Sequence, residues 1–172
     1  MTQLLTNPLY GKDIAAVVGT WTISSAIGYS ELLKTAGAET AKVLLEFVFP
    51  EIEREYGGKN KQTGIIPVSL QIFYRIATAD LTSAVTLSAL NREWDDQNSV
   101  TPKVQAIGKS APTLPHAQGV YAPIIPIYGA NSDSPFIKSG DAIVAEFSFV
   151  APSTSVIGIH KALLTYRECD CC

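Results

Sequence analysis

Three cysteines at the C-terminal end of the chain are the residues most capable of covalent or metal chemistry. Cys169, Cys171 and Cys172 all lie within the last four residues. The first interpretation is that they are reduced thiols on an unstructured tail. An odd number of thiols at an exposed end also suits disulfides between subunits, which would cross-link neighbouring copies. The third is a thiolate site shared by several chains, because a closed zinc site needs more sulfurs than one tail supplies.

A second group of candidate residues combines aromatic rings with carboxylates. Trp94, Asp95 and Asp96 open a proline-rich segment that also contains Tyr121 and Tyr128. Loop carboxylates can hold calcium, but aspartate is frequent in loops because it forms turns, so we predict no bound metal. The rings could form a platform for a glycan or anchors of an interface, where Trp and Tyr are enriched. The interface interpretation is the one we favour.

Catalytic chemistry has little support in this sequence. The two histidines are His116, in a proline-rich segment, and His160, inside an apolar strand where a packed or edge histidine is the expected role. The chain contains no Gly-x-Ser-x-Gly elbow and no Gly-rich phosphate loop. No set of residues supplies nucleophile, base and oxyanion donors together, so we predict a protein without enzymatic activity or cofactor.

Charge composition restricts the partners. Charged residues make up 17% of the chain, against roughly 25% in an average soluble domain. A surface with so few charges favours permanent contact with copies of the chain or with a partner, and we expect a dimer or trimer. The net charge of −3 argues against nucleic acid. The sequence contains neither a membrane-spanning apolar run nor a secretory signal, which predicts synthesis in a cytoplasm.

Two similar segments about a hundred residues apart indicate the fold. Residues 43–49 read Val-Leu-Leu-Glu-Phe-Val-Phe, and residues 143–149 read Ile-Val-Ala-Glu-Phe-Ser-Phe. Every second side chain is apolar, which places those side chains on one face of a β-strand. Pro50 and Pro152 follow the two strands, and proline ends strand pairing because it has no N–H donor. The pattern predicts an all-β, antiparallel, jelly-roll-like β-sandwich.

Alternating or short apolar runs predict the remaining strands. Residues 14–27 form a strand broken at Gly19, 68–76 are the clearest half-buried strand, and 84–90 and 156–167 are two more. Residues 30–41 predict one or two helical turns, limited by Gly37. The charged, glycine-containing segment 51–66 predicts a solvated connection.

The predicted organisation is an extended N-terminal arm at 1–13, one sandwich domain at 14–167 and a Cys-rich tail at 168–172. Within the domain, residues 94–135 contain six prolines. This density prevents long central strands, and we predict an excursion with short edge strands near 104–107 and 120–127. A loop of this length in a compact domain is usually functional or held by a neighbour.

The strands in this order resemble small jelly-roll-like structural proteins of tailed bacteriophage virions. The resemblance covers residues 40–90 and 138–167, through the segments Phe-Val-Phe-Pro-Glu, Val-Ser-Leu-Gln-Ile-Phe-Tyr-Arg and Lys-Ser-Gly-Asp-Ala-Ile-Val-Ala-Glu-Phe-Ser-Phe. It implies a virion component without catalytic residues, most like a capsid cement or decoration protein, with the major capsid protein as partner. Alternatives are a tail or surface sandwich that binds host glycans, and a self-assembling tube subunit.

Overall fold

Two antiparallel β-sheets face each other in the computed structural model. The structure describes residues 4–26, 29–35, 37–48, 53–56, 59–83, 85–93, 103–106, 113–127, 137–138 and 142–170. None of the described residues belongs to a helix long and apolar enough to cross a membrane.

The strands, in chain order, are β1 (Leu5–Tyr10), β2 (Ala15–Val18), β3 (Trp21–Ala26), β4 (Tyr29–Lys34), β5 (Glu39–Val48), β6 (Glu53–Tyr56), β7 (Lys59–Ala77), β8 (Val85–Glu93), β9 (Lys103–Ala106), β10 (Thr113–Leu114), β11 (Gly119–Tyr121), β12 (Ile124–Pro126), β13 (Ile137–Lys138), β14 (Ala142–Ala151) and β15 (Val156–Asp170). A short 3-10 turn, Gly11–Asp13, follows β1.

The strand order confirms the predicted antiparallel sandwich. Sheet A has the order β11-β7-β15-β4-β3, with β1 beside β15 and the short strands β6, β12 and β13 beside β7. Sheet B has the order β10-β8-β14-β5-β2, with β9 beside β8. The long strands change sheets repeatedly along the chain, so each sheet combines segments that are distant in sequence. This is the Greek-key arrangement of a jelly roll.

The two similar segments are direct neighbours in sheet B. Val43 pairs with Phe147, and Phe47 pairs with Ile143. Phe47 is 1% exposed and Phe147 is fully buried, so both phenylalanine stripes face one interior, as the alternation predicts. The ring of Phe147 lies 5.3 Å from the ring of Tyr74 in sheet A, which joins the two layers. Phe49 lies outside the described residues.

The helical prediction for residues 30–41 is wrong, because this segment contributes to two strands. In β4, Leu32 and Lys34 are buried, and the strand pairs with β3 on one side and β15 on the other. Lys34 Nζ donates hydrogen bonds to the carbonyl oxygens of Thr35, at 2.9 Å, and Gly37, at 2.7 Å. The hydrogen bonds of β4 to two neighbouring strands, together with the bonds from Lys34 to the following turn, outweigh a weak local helix preference.

The predicted N-terminal arm and the start of the predicted C-terminal tail both contribute to sheet A. Residues 5–10 of the predicted arm are extended, but they pair with β15 from Leu5 opposite Tyr166 to Tyr10 opposite Lys161. Strand β15 continues across the predicted boundary at 167/168. The solvated connection predicted at 51–66 is also wrong, because β6 and the start of β7 pair as a hairpin.

The described part of the proline-rich excursion forms short strands at the sheet edges, as predicted. Strands β9 and β10 lie beside β8, whereas β11 and β12 lie beside β7. Residues 113–127 are held against the sandwich by further bonds: Tyr74 Oη donates to Pro115 O at 2.7 Å, and Leu81 N donates to His116 O at 2.9 Å. This segment is therefore part of the folded body.

Candidate binding groove

A change of neighbour along β15 creates an irregularity on the outer face of sheet A. Residues 157–159 of β15 pair with β4, whereas Lys161 and the residues after it pair with β1. His160 lies between the two, where the register with β7 also shifts. A β-bulge of this kind redirects a side chain, and bulges are frequent beside functional sites.

The chain between β1 and β2 passes very close to this point. A Cβ on Gly11 would lie 2.7 Å from Leu32 N and 2.9 Å from Ile159 O, closer than real Cβ atoms approach. Glycine is therefore needed at position 11, and it lets the ends of β1 and β4 meet beside the bulge.

An open groove with a volume of about 450 Å³ lies at this junction. The side chains that define its chemistry are those of Tyr10, Ser30, Phe73, Tyr121, His160 and Lys161. We call it the β15 groove. Three of the six are aromatic, and the others offer a hydroxyl, an imidazole and an ammonium, so the groove combines apolar surface with a few polar groups, as small-molecule sites do.

Strand register places three of these side chains in one row. Tyr10 on β1 is opposite Lys161 on β15, and Lys161 is opposite Phe73 on β7. The ammonium nitrogen of Lys161 lies 4.6 Å from the centre of the Phe73 ring. This cation–π contact holds a long, otherwise mobile side chain over the ring. Tyr10, at the end of the row, is 48% exposed.

An ion pair with a buried carboxylate lies next to the groove. Arg75 Nε and Nη2 donate to Glu31 Oε1 and Oε2 at 2.6 Å and 3.0 Å, a bidentate arrangement. The Glu31 side chain is only 3% exposed. Its hydrogen bond with Glu31 raises the pKa of Arg75 above its usual range. Gly158 pairs with Arg75 beneath this carboxylate, and a Cβ there would overlap Glu31.

His160 contacts this ion pair from the groove side. Its Nε2 lies 3.6 Å from Glu31 Oε1, and its side chain is 22% exposed. Burial lowers the pKa of His160 below its ordinary value. Glu31 does not reverse this effect, because its negative charge is already compensated by the shorter contacts with Arg75. His160 is therefore a neutral imidazole near pH 7.

The opposite wall of the groove is anchored in the core. The Tyr121 ring lies 5.3 Å from the buried Tyr74 ring, and Tyr121 Oη donates to Ala117 O at 3.0 Å. Gln71 Nε2 donates to Ala122 O at 3.0 Å. Burial raises the pKa of Tyr74 well above its ordinary value, so its hydroxyl stays protonated and donates to Pro115. These bonds fix the wall before any ligand arrives.

One polar atom of the groove has no partner in the described part of the chain. Ser30 Oγ is buried and makes no hydrogen bond there. A buried hydroxyl without a partner costs free energy, on the order of 1–3 kcal/mol.

Of the residues predicted from sequence, Tyr121 lines this groove. Trp94, Asp95, Asp96, Tyr128, Cys171 and Cys172 lie outside the described residues. Cys169 lies in β15 with its backbone opposite Gly64. In the described part of the chain, no three His, Cys, Asp or Glu side chains are grouped so that they could hold a metal ion.

Sequence reasoning missed most of the groove. Its row and its ion pair come from Tyr10, Phe73, Lys161, Glu31 and Arg75. One signal was available: Phe73 and Arg75 are the large side chains on the non-core face of the strand predicted at 68–76. An aromatic ring and a guanidinium on that face are not needed by the core, which is a reason to look for a ligand.

The chain matches no family model and no curated protein. Among solved structures it is similar to a CBM36-1 domain of a multidomain xylanase from the hindgut metagenome of Trinervitermes trinervoides, at 6% identity and a TM-score of 0.47, over 93% of this chain and 96% of that one. It is also similar to the xylan-binding module CBM86 from Roseburia intestinalis, at 13% identity and a TM-score of 0.38, over 93% and 94%.

A viral structure, that of infectious bursal disease virus Gt strain, is similar at 12% identity and a TM-score of 0.30. That likeness covers 96% of this chain but 36% of the viral one. At TM-scores under 0.5, none of these likenesses carries a functional argument. The predicted resemblance to phage decoration proteins finds no confirmation among them.

We predict that Gly158→Ala destabilises the protein by roughly 1–3 kcal/mol, because the new methyl group displaces the Glu31 carboxylate. The same substitution in a Glu31→Ala background should cost much less, since the clash has gone. Urea unfolding of the two single variants and the double variant measures this coupling. Equal costs in both backgrounds would show that Gly158 is not shaped by Glu31.

We predict that His160 lowers the stability of the fold in mild acid. Its pKa in the folded state is below the value of about 6.5 in the unfolded chain, so the unfolded chain takes up the proton first as the pH falls. The unfolding free energy should therefore decrease below about pH 6.5, and His160→Gln should decrease less between about pH 7 and pH 5.5. His116→Gln is the matched control, and a wild-type slope in the His160 variant would contradict the prediction.

Proposed function

We propose that this protein is a non-catalytic binding module that takes a carbohydrate in the β15 groove. The observation that carries the proposal is the row of Tyr10, Lys161 and Phe73 across three strands, with Ser30 and His160 beside it. A pyranose ring has apolar C–H faces, which favour aromatic surface, and a rim of hydroxyls, which need hydrogen-bond partners. The groove offers both.

The rigidity of the groove supports binding. The ion pair of Glu31 and Arg75 lies beside it, and the wall around Tyr121 is bonded to the core. Groups already in position lose little conformational entropy when a ligand docks, so more of the contact energy appears as affinity.

The burial of the Glu31 carboxylate and its pairing with Arg75 favour binding of a sugar over its hydrolysis. Glycoside hydrolysis uses a pair of carboxyl groups that reach the sugar. Glu31, the carboxylate nearest to His160 in the described chain, is 3% exposed and held at both oxygens by Arg75. It is thus a support for the groove and not an acid or base directed at a ligand.

Binding of oligosaccharides by the purified protein on a glycan array tests this function. Tyr10→Ala should weaken the binding by roughly tenfold, because it removes an exposed aromatic face from the groove. Val48→Ala, at an exposed apolar position in the other sheet, should leave the binding unchanged. An array without any hit, or equal losses in both variants, would contradict the proposal.

The second candidate function is assembly, as in a virion cement or tube subunit. Val120, which also lines the groove, is 79% exposed and Ile124 is 65% exposed, and they lie on β11 and β12, beside β7 at one edge of sheet A. Large apolar side chains this exposed, in a chain with few charges, suit an interface with a second copy of the chain. Ile124 is not part of the groove lining, so the two candidate functions can be tested apart.

For the assembly function we predict a dimer or trimer in sedimentation at micromolar concentration. Ile124→Asp should shift the protein towards monomer, because the buried contact would then contain an unpaired charge. Val48→Asp places the same charge on the other sheet and should not change the assembly state. A wild-type protein that sediments as a monomer would remove this candidate.

A further inference from the structure

Lys161 gives the β15 groove a positive charge. Among the described residues that line the groove, it is the one with a permanent charge. The neighbouring Arg75 is compensated by Glu31 through two short bonds, and burial keeps His160 in its neutral form. The groove therefore carries a net charge of about +1 near pH 7, within a chain whose net charge is −3.

The ammonium group of Lys161 is placed where a ligand would lie. In the described part of the chain, the Lys161 ammonium contacts the Phe73 ring. The ion pairs found there are formed by other basic side chains: Lys34, Lys42, Arg75 and His160. A cation over a ring keeps its remaining N–H donors available, because the ring uses one side of the ammonium only. Lys161 is thus held in position and can still donate to an anion.

The exposed ring of Tyr10 at the end of the row favours a ligand that also has an apolar face. A bare carboxylate or phosphate would use Lys161 but has no such face. A sugar that bears one carboxylate has both, and a volume of about 450 Å³ holds a small oligosaccharide.

We propose that the ligand of the β15 groove is an acidic sugar, a uronic or sialic acid, whose carboxylate accepts hydrogen bonds from Lys161 Nζ. This inference rests on the proposed carbohydrate function and gives it a chemical class. The sugar ring lies along Tyr10. Lys161 determines the preference for acidic over neutral sugars, and the rings of Tyr10 and Phe73 contribute affinity for both kinds of sugar.

Matched ligands that differ mainly in charge test the inference by calorimetry: oligogalacturonides against their methyl esters, and sialyllactose against its methyl ester. The wild-type protein should bind at least one acid about tenfold more tightly than its neutral partner. Lys161→Gln should abolish that preference, because it weakens binding of the acid much more than binding of its neutral partner, and Lys161→Arg should keep it. Lys12→Gln, which removes an exposed positive charge outside the groove lining, should also keep the preference.

The outcomes separate the two levels of the proposal. Equal binding of acid and ester overturns the acidic-sugar inference and leaves the carbohydrate function standing. A preference that survives in Lys161→Gln, or is lost equally in Lys12→Gln, overturns the role of Lys161. Absence of binding to every acidic and neutral sugar overturns the carbohydrate function together with the inference.

Discussion

The antiparallel pairing of β7 with β15 is the interaction on which both the core and the groove depend. It runs from Val156 opposite Ala77 to Asp170 opposite Thr63, and it shifts register in two places. Because side chains alternate along a strand, one face of this pair contributes Ile72 and Leu164 to the core, whereas the other face presents the row beside the groove. A slip of one residue would exchange the two faces, so the register that buries the core also assembles the groove.

The ion pair beside the groove illustrates how a buried charge is tolerated on a sheet surface. A carboxylate that is 3% exposed would be strongly unfavourable alone. Arg75 satisfies both of its oxygens, and the missing side chain of Gly158 provides the space. Such pairs add little to stability when compared with apolar packing, but they define one geometry. Here that geometry compensates the negative charge of Glu31 beside His160, so the positive charge of the groove comes from Lys161.

The sequence predicted those parts of the fold that depend on local alternation. The phenylalanine stripes around Phe47 and Phe147, the break at Gly19 and the short edge strands of the proline-rich segment all follow from period-two patterns or from proline and glycine. The groove could not be predicted in this way, because Tyr10, Phe73 and Lys161 are neighbours only through the register of three distant strands. The helix prediction for the residues of β4 is wrong because hydrogen bonds to β3 and β15, and not the local sequence, decide the conformation of this strand.

Tyr74 connects the groove to the centre of the protein. Its ring contacts Phe147 in the other sheet and Tyr121 in the groove wall, and its hydroxyl bonds to the backbone of Pro115. The wall and the interior are therefore linked through this side chain. A substitution that loosens the packing of the Tyr74 ring in the interior should thus also loosen the groove wall, although it lies far from any ligand.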